Sequence, residues 1–172
     1  MELFLLRHGE TDANADGIVQ GWLDTNLSRR GRGQAQGAAK RFEQPIDAIY
    51  SSDLSRARQT AEIFRKKYPA IPYFEDSRLR ERGFGDAEGT HRDKHDWEVF
   101  WASSDTVSIP NAEALSEFSR RVKAFMEMVR KSGFSNVLIV THGGTINQLQ
   151  DITSTNHKRK RPDNASITHI TI

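Results

Sequence analysis

The chain reads as an α/β fold: a three-layer sandwich with a mostly parallel central sheet and helices on both faces. Two observations predict this. Short continuous apolar runs, Leu3–Leu6 and Val137–Val140, have the composition of strands buried on both sides, without the alternation of a half-exposed strand. Between such runs lie segments with apolar residues at helical spacing, and strands separated by helices imply right-handed βαβ crossovers. The length of 172 residues fits one domain with a sizeable core, so residues 1–172 are read as a single domain.

Taken in order, Leu3–Leu6 is the first strand. Residues 13–26 are polar and rich in turn formers, which predicts a loop over the carboxyl edge of the sheet. Ser28 before Arg29-Arg30-Gly31 is a helix N-cap, and the helix turns Ala35, Ala38, Ala39 and Phe42 inward. Residues 46–50 form a second strand that ends in Ser51-Ser52. Asp53 opens a helix with Leu54, Ala57, Ala61 and Phe64 on its buried stripe. Residues 71–74 make a short strand after Pro69, residues 80–90 a charged loop, and residues 93–101 a helix. The spacing over 113–130 predicts the longest helix, with Leu115, Phe118, Val122, Met126 and Val129 as its core face. A strand at 137–141, a helix at 145–152 and a closing strand at 167–172 complete the series.

Composition excludes several classes. Charged residues are 28% and hydrophobic residues 36% of the chain, yet the formal net charge is only +2, so a strongly basic nucleic-acid binder is not indicated. The run Lys158-Arg159-Lys160-Arg161 reads as a solvated loop, with attraction of an anionic substrate as its second use. With no cysteine, disulfides, thiol catalysis and thiolate metal sites are ruled out. The amino-terminal apolar run is too short for a signal peptide or a membrane span, so a cytoplasmic protein with no membrane partner is the default reading.

Chemistry concentrates where two strands end. Arg7-His8-Gly9-Glu10-Thr11 follows the first, and Thr141-His142-Gly143-Gly144 follows the late one. Ligands of parallel sheets bind just beyond the strand carboxyl ends, so the two histidines could share one pocket. A neutral imidazole at His8 suits attack on phosphorus, and flanking arginines disfavour its protonated form. Arg7 offers a bidentate fork for phosphate oxygens, Arg56 a second, and His142, if protonated, a third positive donor. Glu81 is the candidate general acid and base. Glu75, Asp76, Asp86 and Glu88 lie close by, although spacing from Leu79 favours Glu81. His91 and His95 stand four apart, a spacing that can bind zinc, but without a third ligand they read as structural. Trp97 and Trp101 read as packing residues rather than as a roof over the pocket.

Arg7-His8-Gly9-Glu10-Thr11 with Asn14 resembles the signature of the histidine phosphatase superfamily, phosphoglycerate mutase-like branch. The likeness continues through Gln20-Gly21-Trp22-Leu23-Asp24, Leu27-Ser28, Ser51-Ser52-Asp53-Leu54-Ser55-Arg56-Ala57, Leu79-Arg80-Glu81 and Thr141-His142-Gly143-Gly144, in the family's order. The resemblance implies that His8 becomes a phosphohistidine, that Arg7, Arg56 and His142 hold the phosphoryl oxygens, and that Glu81 moves the proton. It implies that Asn14, Gln20, Gly21 and Gly143 line the phosphate pocket, that neither metal nor cofactor is needed, and that the partner is a small-molecule phosphate ester. Three activities follow as expectations: a phosphomonoesterase, a cofactor-dependent phosphoglycerate mutase, and an inactive module that binds phosphorylated ligands. The chain favours hydrolysis. It has only about twenty residues between Gly89 and Pro110 where mutases carry a longer insertion. Phe84 replaces the mutases' usual tyrosine, and Arg82 lacks their downstream paired arginines. Pro110-Asn111-Ala112-Glu113 departs from the family word there, with Glu113 alone in register. Neither the substrate nor the oligomeric state follows from the residues.

Overall fold

The computed structural model describes residues 1–102, 108–153 and 159–172. Five strands form one sheet in the order β3-β2-β4-β1-β5, where β1 is Glu2–Arg7, β2 Ala48–Ser51, β3 Tyr73–Glu75, β4 Asn136–Thr141 and β5 Ile167–Thr171. All neighbours run parallel except β5, which pairs antiparallel with β1 and closes that edge. The late strand β4 is thus inserted between β1 and β2, the two earliest.

Alternation along the strands builds two cores. Leu3, Leu5, Ala48, Tyr50, Val137 and Ile139 face helices α5 (Leu115–Arg130) and α6 (Gly143–Thr153), meeting Phe118, Val122, Phe125, Met126, Ile146 and Leu149. Phe4, Leu6, Ile49, Leu138 and Val140 face α2 (Arg29–Arg41) and α3 (Ser55–Lys67), meeting Ala38, Ala39, Phe42, Ala57, Ala61 and Phe64. Each large side chain so covered contributes roughly 1.5–3 kcal/mol of burial, which explains why the strands are apolar throughout. The expected three-layer arrangement is the one observed. A third, smaller cluster of Val19, Ala87, Phe100 and Ile109 sits over the carboxyl edge of the sheet.

Local departures from expectation have visible causes. The stretch expected as loop from residue 13 contains a helical turn, α1 (Asp12–Ala15), because Thr11 and Asn14 form a reciprocal capping box. Helix α3 starts after Leu54, whose side chain offers no acceptor; the Ser55 N–H donates instead to Asp24 Oδ1 at 2.6 Å, while the carboxylate of Asp53 is held by Arg80 at 2.8 Å. The strand expected at 46–50 begins only at Ala48, Ile46 being a core residue of the approach. The stretch 93–101 divides into a 3-10 turn (Arg92–Lys94) and helix α4 (Trp97–Ala102). Glu113 precedes rather than opens α5, because its carboxylate binds Arg121. Residues 154–158, part of the polar stretch before Asp163 and including Lys158 of the basic run, lie outside the described residues.

Candidate active site

Strands β1 and β4 are hydrogen-bonded in register with Arg7 opposite Thr141, so the next residues, His8 and His142, leave the sheet side by side. The ladder runs one step further, with the His8 N–H donating to the Thr141 carbonyl at 2.9 Å. The imidazole centroids lie 5.1 Å apart, their planes tilted by 59°. The backbone beyond His8 passes hard against the first turn of α2. A Cβ on Gly9 would stand 2.4 Å from the Gly31 carbonyl oxygen, and one on Gly31 would stand 1.9 Å from that of Glu10. Two glycines are what this crossing permits.

His8 is fixed in one tautomer. Its Nδ1 lies 2.7 Å from the Gly9 carbonyl oxygen, which can only accept, so Nδ1 carries the proton and Nε2 keeps its lone pair. Burial first, then the charges of Arg56 and Arg7, hold this ring well below the ordinary histidine pKa of 6.5. His142 accepts or donates through Nε2 to the Ser52 hydroxyl at 2.9 Å. Its pKa is likewise held well below 6.5, by burial and then by Arg56 and His8. Burial thus favours the neutral ring in the site as it stands. An anion brought against it would push the balance back toward the cation.

Arg7 ends β1 and donates Nη1 to the Pro162 carbonyl at 2.6 Å. Arg56, in the first turn of α3, donates Nη1 to the Leu23 carbonyl at 2.8 Å and Nη2 to that of Gly21 at 2.7 Å. Burial lowers both guanidinium pKa values to about 10, so both stay charged at neutral pH. Among the described residues, three buried side-chain nitrogens have no hydrogen-bond partner: Arg7 Nε, Arg56 Nε and His142 Nδ1. Each such orphan costs about 1–3 kcal/mol. All three residues line one cavity of about 740 Å³, together with His8 and Glu81. Helix α6 begins there, at Gly143, so its positive end adds to the field.

Glu81 is positioned from four directions. Its Oε1 accepts from the Arg82 N–H at 3.0 Å and its Oε2 from the Gly144 N–H at 2.9 Å. Its carbonyl oxygen accepts from Trp22 Nε1 at 2.8 Å and from Arg121 Nη2 at 2.7 Å. Of the neighbouring acids, Asp76 binds Arg78, Asp86 accepts from Asn111, Glu88 accepts from the Trp22 and Phe84 amides, and Glu75 accepts from Tyr73; none lines the cavity.

Asn14, Gln20, Gly21 and Gly143 also line the cavity, so the structure brings every residue expected there to one place. Asn14 Oδ1 accepts from the Thr11 amide and from Asn164, and Gln20 Oε1 from the hydroxyls of Thr11 and Thr25. With their oxygens engaged, both amides present NH₂ groups, the end that suits an anion.

Some residues behave differently from their reading. Arg82 does not reach the cavity; it is buried, donates to the carbonyls of Phe100 and Glu113 at 2.9 Å, and lies 3.8 Å over the Phe100 ring. Trp97 and Trp101 pack edge-on against Phe84 as expected, and they also wall the cavity. Arg159 and Arg161 are exposed, in keeping with a solvated run, and they also line the cavity, where Arg159 pairs with Asp151 of α6 and the Pro162 carbonyl is held by Arg7. His95 bonds Thr90 and His91 accepts from the Asp93 amide. Among the described residues no three His, Asp or Glu side chains group as a metal site. Three contributors were missed. Ser52 follows a strand in the same way as the histidines and was legible on that ground; Asn164 and Arg121 carry no signal short of the tertiary structure. No helix among the described residues is long and apolar enough to cross a membrane.

Comparison with known proteins agrees with this geometry. Residues 3–172 match the model of the histidine phosphatase superfamily, branch 1. A Hydrogenobacter thermophilus protein named "Putative phosphoserine phosphatase 2" is 37% identical over 98% of this chain and 88% of its own. The Arabidopsis thaliana metal-independent phosphoserine phosphatase is 33% identical over 86% of this chain and 66% of its own. The crystal structure of phosphoglycerate mutase from Thermus thermophilus superposes with a TM-score of 0.80 at 29% identity, covering 99% of this chain and 92% of the other. The chain with two histidines at neighbouring strand ends therefore belongs to the histidine phosphatase superfamily, branch 1.

Proposed function

We propose that this protein is a metal-independent phosphomonoesterase that passes the phosphoryl group of a small phosphate ester through His8 to water. The observation that carries the reading is the convergence of the His8 Nε2 lone pair with the three partnerless nitrogens of Arg7, Arg56 and His142 on one cavity. In the first step His8 Nε2 attacks phosphorus, the P–O ester bond breaks, and protonated Glu81 delivers its proton to the leaving oxygen. Arg7, Arg56 and His142 take the charge that spreads over the three equatorial oxygens, assisted by the amides of Asn14 and Gln20 and the first turn of α6. In the second step the Glu81 carboxylate takes a proton from water, the hydroxide attacks phosphorus, and the P–N bond breaks. Phosphate leaves and neutral His8 is restored. Positive charge for both steps comes from side chains, so the reaction has no step that calls for a metal.

The mutase reading requires cations placed to turn a phosphoglycerate around inside a closed pocket. Arg82, the arginine that reading would enlist, is spent on the carbonyls of Phe100 and Glu113. The test is rapid quench with a radiolabelled aryl phosphate in excess chelator. Label should appear on His8, and His8→Ala should lose at least about 10³-fold in turnover with an unchanged melting temperature. Label on another residue, or hydrolysis that depends on added divalent metal, would refute the mechanism.

A further inference from the structure

Strand β2 ends beside the second histidine. The register sets Ser51 opposite Val140, and the Ser52 N–H continues the ladder by donating to the Val140 carbonyl at 2.9 Å. The neighbouring ends of β1, β4 and β2 therefore deliver His8, His142 and Ser52 in a row. Ser52 and His142 are both buried. The Ser52 hydroxyl lies 2.9 Å from His142 Nε2, and its oxygen already accepts from the Leu54 N–H at 3.3 Å in the turn into α3.

A hydroxyl has one proton to give. Among the described residues the Ser52 hydroxyl has no acceptor other than His142 Nε2. The opposite arrangement, with Nε2–H donating to Ser52, would strand that buried proton and leave His142 Nδ1 a bare lone pair where an anion must sit. With Nε2 as the acceptor, a neutral His142 carries its proton on Nδ1, the nitrogen left without a protein partner at the cavity. We propose that Ser52 is a positioning residue that locks His142 in the Nδ1–H tautomer, so that the neutral ring gives the phosphoryl group an N–H donor and has no free lone pair with which to attack it. The two rings then hold the same tautomer to opposite ends. His8, fixed by the Gly9 carbonyl, offers a lone pair at Nε2; His142, fixed by Ser52, offers a proton at Nδ1. That difference decides which of two adjacent imidazoles becomes the nucleophile. Burial, then Arg56, His8, Arg121 and Arg7, oppose a positive charge on His142, with Glu81 as the acid on the same cavity, so a donor that needs no second proton suits the site. The part this lock plays in catalysis rests on the phosphatase reading; the tautomer itself does not.

The test reads tautomer and activity separately. In nitrogen-15 spectra of the whole protein at neutral pH, with the His142 signals identified by their loss from His142→Gln, Nδ1 should be protonated and Nε2 bare. In Ser52→Ala those signals should move to the other tautomer or to an average of the two. Ser51→Ala removes an equally buried hydroxyl, one that donates to the Ser52 carbonyl at 2.8 Å instead, and should leave them in place. Aryl phosphate hydrolysis should follow the fraction of rings in the competent tautomer, so kcat/KM should fall about tenfold in Ser52→Ala. A His142 protonated on Nε2 in the unmodified protein, signals unmoved in Ser52→Ala, or an equal displacement in Ser51→Ala would each overturn the lock. An unmoved kcat/KM in Ser52→Ala would overturn its part in the reaction. Absence of hydrolysis by the unmodified protein, with the tautomer as expected, would instead overturn the phosphatase reading and leave the lock standing without that part.

Discussion

Replacing Gly144 with alanine should bear first on the proton-transfer role of Glu81, with Trp101 of the cavity wall as the second contact. A Cβ at Gly144 would stand 2.3 Å from Glu81 Oε1 and 2.7 Å from Cη2 of Trp101. The carboxyl group must retreat by about 1 Å to restore ordinary C···O contact. Its anchor, the 2.9 Å bond from the Gly144 N–H to Oε2, is disturbed by the same movement. A displacement of that size at a catalytic group costs on the order of 10²-fold. The loss should depend on the leaving group. An alkoxide needs the proton from Glu81, whereas a nitrophenolate departs without it. Because kcat/KM reports only steps up to transfer onto His8, Gly144→Ala should lower it about 10²-fold for an alkyl phosphate and by less than about threefold for 4-nitrophenyl phosphate. The fold should persist, since alanine in the first turn of α6 is a better helix former than glycine by up to about 1 kcal/mol. Equal losses on both substrates, or none on either, would show that Glu81 does not serve as the acid.

Other outcomes follow from the same geometry. Arg56→Lys, which keeps charge but loses the fork and the Nε donor, should lower kcat by roughly 10²–10³-fold, measured at saturating substrate. His8 and His142 have folded pKa values below their unfolded value near 6.5, so the unfolded chain binds more protons just below pH 6.5 and stability falls as pH drops through that window. Each ring contributes a slope of up to about 1.4 kcal/mol per pH unit, and His8→Gln/His142→Gln should flatten the urea-denaturation profile between pH 6.5 and 5. Gly31→Ala should destabilise the protein, because its Cβ would meet the Glu10 carbonyl oxygen at 1.9 Å, whereas Gly33→Ala on the same helix, with open space around it, should raise stability by about 0.5–1 kcal/mol in thermal melts.

The strand ends were the most legible part of the chain. An apolar run that stops at a histidine and then turns on glycine says both that the strand is buried and that the histidine sits at the ligand edge. His8 and His142 could be placed from this alone. Arg56 and Glu81 needed the resemblance, because a helix charge and a loop carboxylate look alike until the fold decides which way they face. What the sequence hid were contacts between distant segments. Arg121 lies in the longest helix, where it reads as surface charge, yet it binds the carbonyls of Arg78, Arg80 and Glu81 at 2.7 Å and thereby holds the acid loop. Arg159 and Arg161 are exposed as a solvated run should be, but nothing local shows that Arg7 draws Pro162 back over the sheet and so brings them to the cavity. Arg82 erred in the opposite direction: an arginine next to the acid suggests substrate contact, and only the position of Phe100 shows it to be internal.

The strand order carries a consequence for how activity arises during synthesis. In the sequence β3-β2-β4-β1-β5, the two strands made first share no edge until β4 slides into the gap between them. A nascent polypeptide halted before Asn136 therefore has no continuous sheet on which to mount a nucleophile, however complete its amino-terminal half. Competence should switch on in a single late event, when that middle strand docks and delivers the second imidazole beside the first.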